Sequence, residues 1–176
     1  MKILSIAVPC YNSQDYMEHC VETLLTGGEK VEIIIVNDGS KDDTAAIADR
    51  LAEKYPTIVK AVHQENGGHG EAVNTGIKNA TGVFFKVVDS DDWVGEEALA
   101  TLLEKLEMFS NSGEDAVNVP DLVLCNYIYD KVGVKHKKVI NYKGYLPLNR
   151  TFTWQDVKKM PPGKYMTMHA CVYRTE

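Results

Sequence analysis

Four short apolar runs, each followed by a segment whose apolar residues recur at helical spacing, constrain this fold more than any other feature of the chain. Ile3 to Val8 is the first run, VEIIIV at 31–36 the second, Ile58 to Val62 a weaker third and VFFKVV at 83–88 the fourth. VEIIIV is rich in β-branched residues, and VFFKVV is almost unbroken in its apolar character, the pattern of strands buried on both faces. Between them, Tyr16, Met17, Cys20, Val21, Leu24 and Leu25 mark a first helix, and Ala46, Ile47, Leu51 and Tyr55 a second. Residues 71–80 read as a short third helix, and Leu99, Leu102, Leu103, Leu106 and Phe109 line one side of a fourth. Strand–helix alternation four times over predicts an α/β fold, a mostly parallel sheet with helices on both faces.

Local signals set the expected boundaries. Pro9 stops the first strand, Asn12 or Ser13 caps the first helix, and Gly27-Gly28 ends it. Ser40 with Asp43 three residues later resembles a capping box for the second helix, which Pro56 closes. After Phe109 the texture changes. Residues 110–120 are a polar loop, Leu122 to Tyr129 reads as a strand, and residues 132–142 alternate enough to pair with it as a β-hairpin. A short helix is expected over 151–160, broken by Pro161-Pro162-Gly163, and a final strand over 166–173. The division expected is therefore residues 1–115 and 116–176.

Composition narrows the function class. A chain of 176 residues is one domain, or one domain plus the beginning of another. Its net charge of −6 argues against a general nucleic-acid binder, so no nucleic acid is expected as a partner. No stretch approaches the roughly 18 apolar residues of a membrane span. MKILSIAVPCYN carries one Lys and a very short apolar run, and reads as a strand, not a signal peptide. Cys10, Cys20, Cys125 and Cys171 are scattered with no CxxC pair, which indicates neither a zinc site nor a disulfide framework. Reduced cysteines in a cytoplasmic protein are the expectation.

Two strands end in acidic turns. Asp38 follows VEIIIV, and Asp89, Ser90, Asp91 and Asp92 follow VFFKVV. In a parallel sheet both turns fall on the carboxyl edge, where open α/β folds bind ligands. Asp89 and Asp91 raise each other's cost of ionisation unless a cation lies between them, and Mg²⁺ or Mn²⁺ takes such a carboxylate pair together with phosphate oxygens. An isolated Asp-x-Asp is more often a solvated turn, and an isolated Asp-Gly a plain turn. Together they favour a nucleotide-plus-metal site, with Asp38 accepting from a base N–H or a ribose hydroxyl. Other motif readings fail. GHGEAV at 68–73 has Val73 at the third glycine position of GxGxxG and does not follow the first strand. An EF-hand at DSDDWVG would place Val94 and Ala100 where glycine and glutamate are needed. A haloacid-type phosphatase would carry its Asp-x-Asp after the first strand, not the fourth.

VPCYN, VNDGS, ENGGHGEAVNTGIKNATG and DSDDWV, in that order, resemble the family 2 glycosyltransferases of the Rossmann-like GT-A fold over roughly residues 3–110. MHACVYRTE is similar to a later strand of that family. The resemblance implies that Pro9, Tyr11 and Asn12 line the base pocket and that Asp38 binds the uracil or ribose. It implies that Asp89 and Asp91 form the DxD pair, with Asp91 on the metal and Asp89 nearer the ribose, and Ser90 between them in the donor set. Asn66, Asn74 and Gly76 match the middle motif. Val73 stands where many members have Arg, so that arginine's donor contact comes from elsewhere, Lys78 or Lys86, or is absent. His169 is a candidate third metal ligand by analogy with a C-terminal histidine in related enzymes, although a lone His is more often structural. His63 and His69 show no acidic partner at metal-like spacing and read as loop residues.

The activity implied is transfer of a sugar, with inversion, from a nucleoside-diphosphate sugar such as a UDP-sugar to a hydroxyl of a saccharide or lipid-linked acceptor. A divalent cation, Mn²⁺ or Mg²⁺, would assist, as in cell-wall or polysaccharide synthesis. Peripheral association with the inner face of a membrane is compatible with it. The family's catalytic base lies C-terminal to the DxD, and no residue here suits the role, so it is expected beyond Glu176. On that reading residues 1–115 bind the donor, residues 116–176 begin an acceptor-side subdomain, and the chain binds UDP with metal but transfers sugar poorly. A nucleotidyltransferase would need a glycine-rich, Arg-bearing loop where VPCYNS stands. A non-catalytic nucleotide-sugar-binding module differs from an enzyme only in turnover.

Overall fold

The computed structural model describes residues 1–111, 119–130, 136–160, 162, 163 and 165–175. It divides into two compact units, Met1–Asp121 with Tyr173–Glu176, and Leu122–Val172. The first holds β1 (Leu4–Cys10), α1 (Met17–Leu25), β2 (Val31–Asp38), α2 (Thr44–Lys54), β3 (Val59–Gln64), α3 (His69–Asn79), β4 (Phe84–Val87) and α4 (Glu96–Ser110). Then follow β5 (Leu122–Leu124), β6 (Tyr127–Tyr129), β7 (Lys138–Ile140) and β8 (Cys171–Arg174), the last divided between the units.

The central sheet has the order β3-β2-β1-β4-β8-β5. β1 runs parallel to β2 and β4, and β2 parallel to β3. β8 is antiparallel to β4, through Phe84–Arg174 and Phe85–Tyr173. Every residue of β1 is buried, and in β2 only Glu32 is not. That is why these segments read as continuous apolar runs instead of alternating ones: helices cover both faces. The helices bury one stripe each, Met17, Cys20, Val21 and Leu24 in α1, Ile47, Ala48 and Leu51 in α2, and Leu99, Leu103 and Leu106 in α4. α3 lies close on β1 because Gly76 carries no side chain; a Cβ there would sit 2.5 Å from Ala7 Cβ.

Several boundaries differ from the sequence expectation. β1 continues through Pro9 to Cys10, with Pro9 opposite Val36. α1 starts at Met17, after a turn in which the Ser13 carbonyl accepts the Tyr16 and Met17 N–H groups, and no side chain caps it. The Ser40–Asp43 box does not form, since Asp42 Oδ1 takes the Thr44 N–H and Ser40 Oγ takes the Asn12 N–H. α3 begins two residues early, at His69.

In the second unit the expected strand over 122–129 splits. Cys125 N–H bonds to the Ala170 carbonyl, and the chain then leaves β5 to form the β6–β7 hairpin, with Tyr127 opposite Ile140 and Tyr129 opposite Lys138. Apolar patterning cannot report that two halves of one run choose different partners. The helix expected over 151–160 reduces to a single 3₁₀ turn, Trp154–Asp156, held by a capping box from Thr153 and Asp156. The final strand begins only at Cys171, after a 3₁₀ turn over Met168–Ala170. Most of the polar loop, residues 112–118, lies outside the described residues, as do 131–135 of the hairpin. Tyr142, Leu146 and Ala170 form this unit's small core, with Phe152, Val157 and Met166 packed on it.

All four cysteines are free, and burial pushes the Cys10 thiol up to about 12. Among the described residues no helix is long and apolar enough to cross a membrane.

The close approach of α3 to β1 makes a paired prediction. Gly76→Ala is expected to destabilise the chain by roughly 1–3 kcal/mol through overpacking. Gly70→Ala in the same helix, where a Cβ meets nothing within 4 Å, is expected to be neutral or stabilising by up to about 1 kcal/mol. Urea unfolding midpoints of the two variants measure the contrast.

Candidate functional site

The parallel register brings the carboxyl ends of four strands to one edge. Cys10 pairs with Asn37, Asp38 with Gln64, and Ala7 with Val87. The loops that leave this edge carry Tyr11, Asn12, Asn66 and the Asp89–Asp92 turn, while Pro9 lies in β1, Asp38 ends β2, and Asn74 and Gly76 lie in α3.

Asp38 is the most heavily bonded of them. Its Oδ1 accepts from Gln64 Nε2 at 2.7 Å and from the Gly67 N–H at 2.8 Å, and its Oδ2 accepts from the Gly68 N–H at 2.9 Å. Asn66 Nδ2 donates to the Asp38 carbonyl at 3.0 Å. The loop closes so tightly that a Cβ on Gly39, whose φ is +67°, would lie 2.8 Å from the Asn66 nitrogen. Burial alone would raise the Asp38 pKa, but the bonds from Gly67, Gln64 and Gly68 outweigh it and hold the carboxyl below its ordinary value. A carboxylate offers about four acceptor positions. Three are taken, and Asp38 is only 2% exposed. Its structural work is to anchor the glycine loop, with at most one position left for a ligand donor.

The loop after β1 is tied to its neighbours by short polar side chains. Asn12, at φ +51°, accepts the Lys41 N–H on Oδ1 at 2.9 Å. Ser13 is buried; its N–H donates to Thr44 Oγ1 at 2.8 Å, and its hydroxyl shares a 2.9 Å hydrogen bond with Ser90. Pro9 is buried within β1, while Tyr11 is half exposed at the rim. Ser13 had been legible only as a helix cap, and nothing in the sequence links it to a serine 77 positions away.

The acidic turn is closed by the Asp92 N–H, which donates to the Asp89 carbonyl at 2.9 Å. Asp89 is partly exposed, and its Oδ1 lies 2.9 Å from His69 Nε2. This corrects the reading of His69 as a loop residue without an acidic partner: it opens α3 and meets the end of β4. Asp91 is exposed and makes no hydrogen bond or ion pair among the described residues. Trp93, 49% exposed, sets its ring 5.6 Å from that of His19. Three carboxylates within four residues, with Asp91 accessible and Asp89 beside an imidazole, form an oxygen donor set that fits a hard divalent cation.

The middle motif has intramolecular duties. Asn66 holds the Asp38 backbone, Asn74 Nδ2 donates to Glu71 at 3.2 Å, and Gly76 is required by packing. Lys78 reaches Glu71 at 3.7 Å, and Lys86 is buried within β4. His63 is bonded through both ring nitrogens, to Asn37 and to Asp49. His169 belongs to the second unit, where its ring lies 5.7 Å from that of Tyr127.

A pH test follows from Asp38. Its folded pKa is depressed below the ordinary 3.8, so its stabilisation is complete above about pH 5 and is lost as pH falls through 3.8 toward the folded value. Asp38→Asn is expected to lower the urea midpoint at pH 7 and to flatten the acid limb of the stability profile between about pH 5 and 3. Unfolding curves across that range on wild type and variant measure it.

Comparisons with known proteins agree with the fold. The putative glycosyltransferase EpsH of Bacillus subtilis (strain 168) is 38% identical over 125 residues, covering 70% of this chain and 33% of that protein. The chain thus spans about a third of that relative's length. The crystal structure of S. aureus TarS 1-349 superposes with a TM-score of 0.65 at 25% identity, covering 99% of this chain and 47% of the other. TarS 1-349 in complex with UDP-GlcNAc gives a TM-score of 0.53 at 30% identity, covering 70% and 34%. A family model described as glycosyl transferase family 2 matches residues 5–153. The chain belongs to glycosyl transferase family 2.

Proposed function

We propose that the chain is the donor-binding part of a glycosyltransferase that moves a sugar from a UDP-sugar to an acceptor hydroxyl, with inversion and with Mn²⁺ or Mg²⁺. One observation carries this reading: the parallel register sets the Asp38 turn and the Asp89–Asp92 turn on the same carboxyl edge. The UDP-GlcNAc complex of TarS supports a nucleotide-sugar donor.

In this reading Tyr11 and Asn12 flank the base above buried Pro9, and Asp38 uses its remaining acceptor position for a base N–H or ribose hydroxyl. Ser90, tied to Ser13, holds the acidic turn against the first loop. Asp89 and Asp91 would hold the cation, Asp89 through the carboxylate that lies beside His69. When bound, the cation supplies charge neutralisation at the departing diphosphate. The sugar then passes through an oxocarbenium-like state, and inversion calls for a carboxylate base at the acceptor hydroxyl. Residues 1–115 serve the donor and 116–176 the acceptor, a saccharide or a lipid-linked one, with the protein working on the cytoplasmic side.

Calorimetric titration of UDP and GDP, each with and without Mn²⁺, tests the donor site. The expected result is metal-dependent UDP binding that weakens about tenfold or more, on the order of 1.4 kcal/mol, in Asp91→Ala and Asp89→Ala. Absence of nucleotide binding with Mn²⁺ present, or equal binding by the variants, would overturn the assignment.

A further inference from the structure

The second unit contains a pocket of about 170 Å³ that the donor site does not use. Five of the chain's nine tyrosines line it, Tyr127, Tyr129, Tyr142, Tyr145 and Tyr165, together with Asn141. We propose that this pocket binds one pyranose ring of a glycan, as an acceptor-side saccharide subsite; the proposal rests on the reading of the chain as a glycosyltransferase.

The chemistry of the lining selects the guest. Tyrosine presents a flat apolar face and a polar tip, the complement of a pyranose, which has C–H faces and a hydroxyl rim. The Tyr127 and Tyr129 rings pack edge to face, 5.4 Å apart at 74°, which sets their faces in fixed directions. Exposure grades from Tyr165 at 66% and Tyr129 at 45% to Tyr142 at 5%, so a ring could enter along a wall of tyrosines. Asn141 Oδ1 accepts the Lys143 N–H at 3.2 Å, and its Nδ2 has no partner among the described residues. A hydroxyl oxygen on the guest would accept from that amide.

Other guests fit less well. The volume is below the roughly 300 Å³ at which drug-sized pockets begin, so it admits a single ring. A cation would need acids, and no acidic residue lines the pocket among the described residues. A nucleotide base could stack on tyrosine, but its diphosphate would need several positive groups, and among the described lining residues Lys138 is the one charged side chain. An acyl chain would meet hydroxyl groups along much of the wall.

Saturation-transfer NMR with a panel of methyl hexopyranosides and methyl N-acetylhexosaminides on the whole chain tests this. At least one glycoside should receive saturation, most strongly at its ring C–H protons. Tyr129→Ala is expected to weaken it roughly three- to tenfold, the scale of one aromatic contact, while Tyr129→Phe, which keeps the ring, binds close to wild type. Tyr129 is exposed, and an amide correlation spectrum of each variant confirms the fold. No saturation transfer to any glycoside, equal binding by Tyr129→Ala, or displacement of the glycoside by UDP would overturn the proposal. A parallel UDP–Mn²⁺ titration separates the two readings: its failure alone sinks the donor site and leaves glycoside binding standing.

Discussion

Burial of the β1–β2–β4 core on both faces is the constraint from which the rest of the first unit follows. A sheet covered on both sides must satisfy its backbone within its own ladders and through parallel crossovers. Parallel crossovers send every strand's carboxyl end to the same edge. The loops there are free of core duty, so they can carry charge. Asp38 and the Asp89–Asp92 turn share that edge because of connectivity, not because of any attraction between them.

At the edge, backbone donors have been spent on organising the site. Gly67 and Gly68 point their N–H groups at Asp38, so this glycine-rich loop is not a free phosphate cradle. It is instead pinned in place by an ionised side chain. The same logic runs through Ser13, Ser90, Asn12 and Ser40, whose short polar side chains knit three loops that the sequence keeps far apart. Charge that is already satisfied costs little reorganisation when a ligand arrives. Asp91 differs: it is exposed and without a described partner, which suits a group that meets a cation.

The second unit is governed by different physics. Its core is small, its strands are three residues long, and turns do much of the work. Short strands carry too few residues for an alternating pattern to declare a partner, so the sequence reading merged β5 with β6 and extended one 3₁₀ turn into a helix. The tyrosines of this unit were visible in the sequence only as a scatter; the hairpin and the turn over Tyr142–Leu146 gather them around one pocket.

What the sequence by itself determined was the layered α/β architecture and the acidic edge, because hydrophobic period and strand order are local properties written along the chain. The GT-A resemblance, the two acidic turns and the absence of a disulfide framework were legible in the same way. Only the tertiary structure decided that Asp38 anchors the glycine loop, that His69 meets Asp89, that Ser13 bonds Ser90, and that Gly76 answers to Ala7. Each of those depends on a contact between side chains or backbones brought together by crossovers, and no local pattern encodes which residue will stand opposite which.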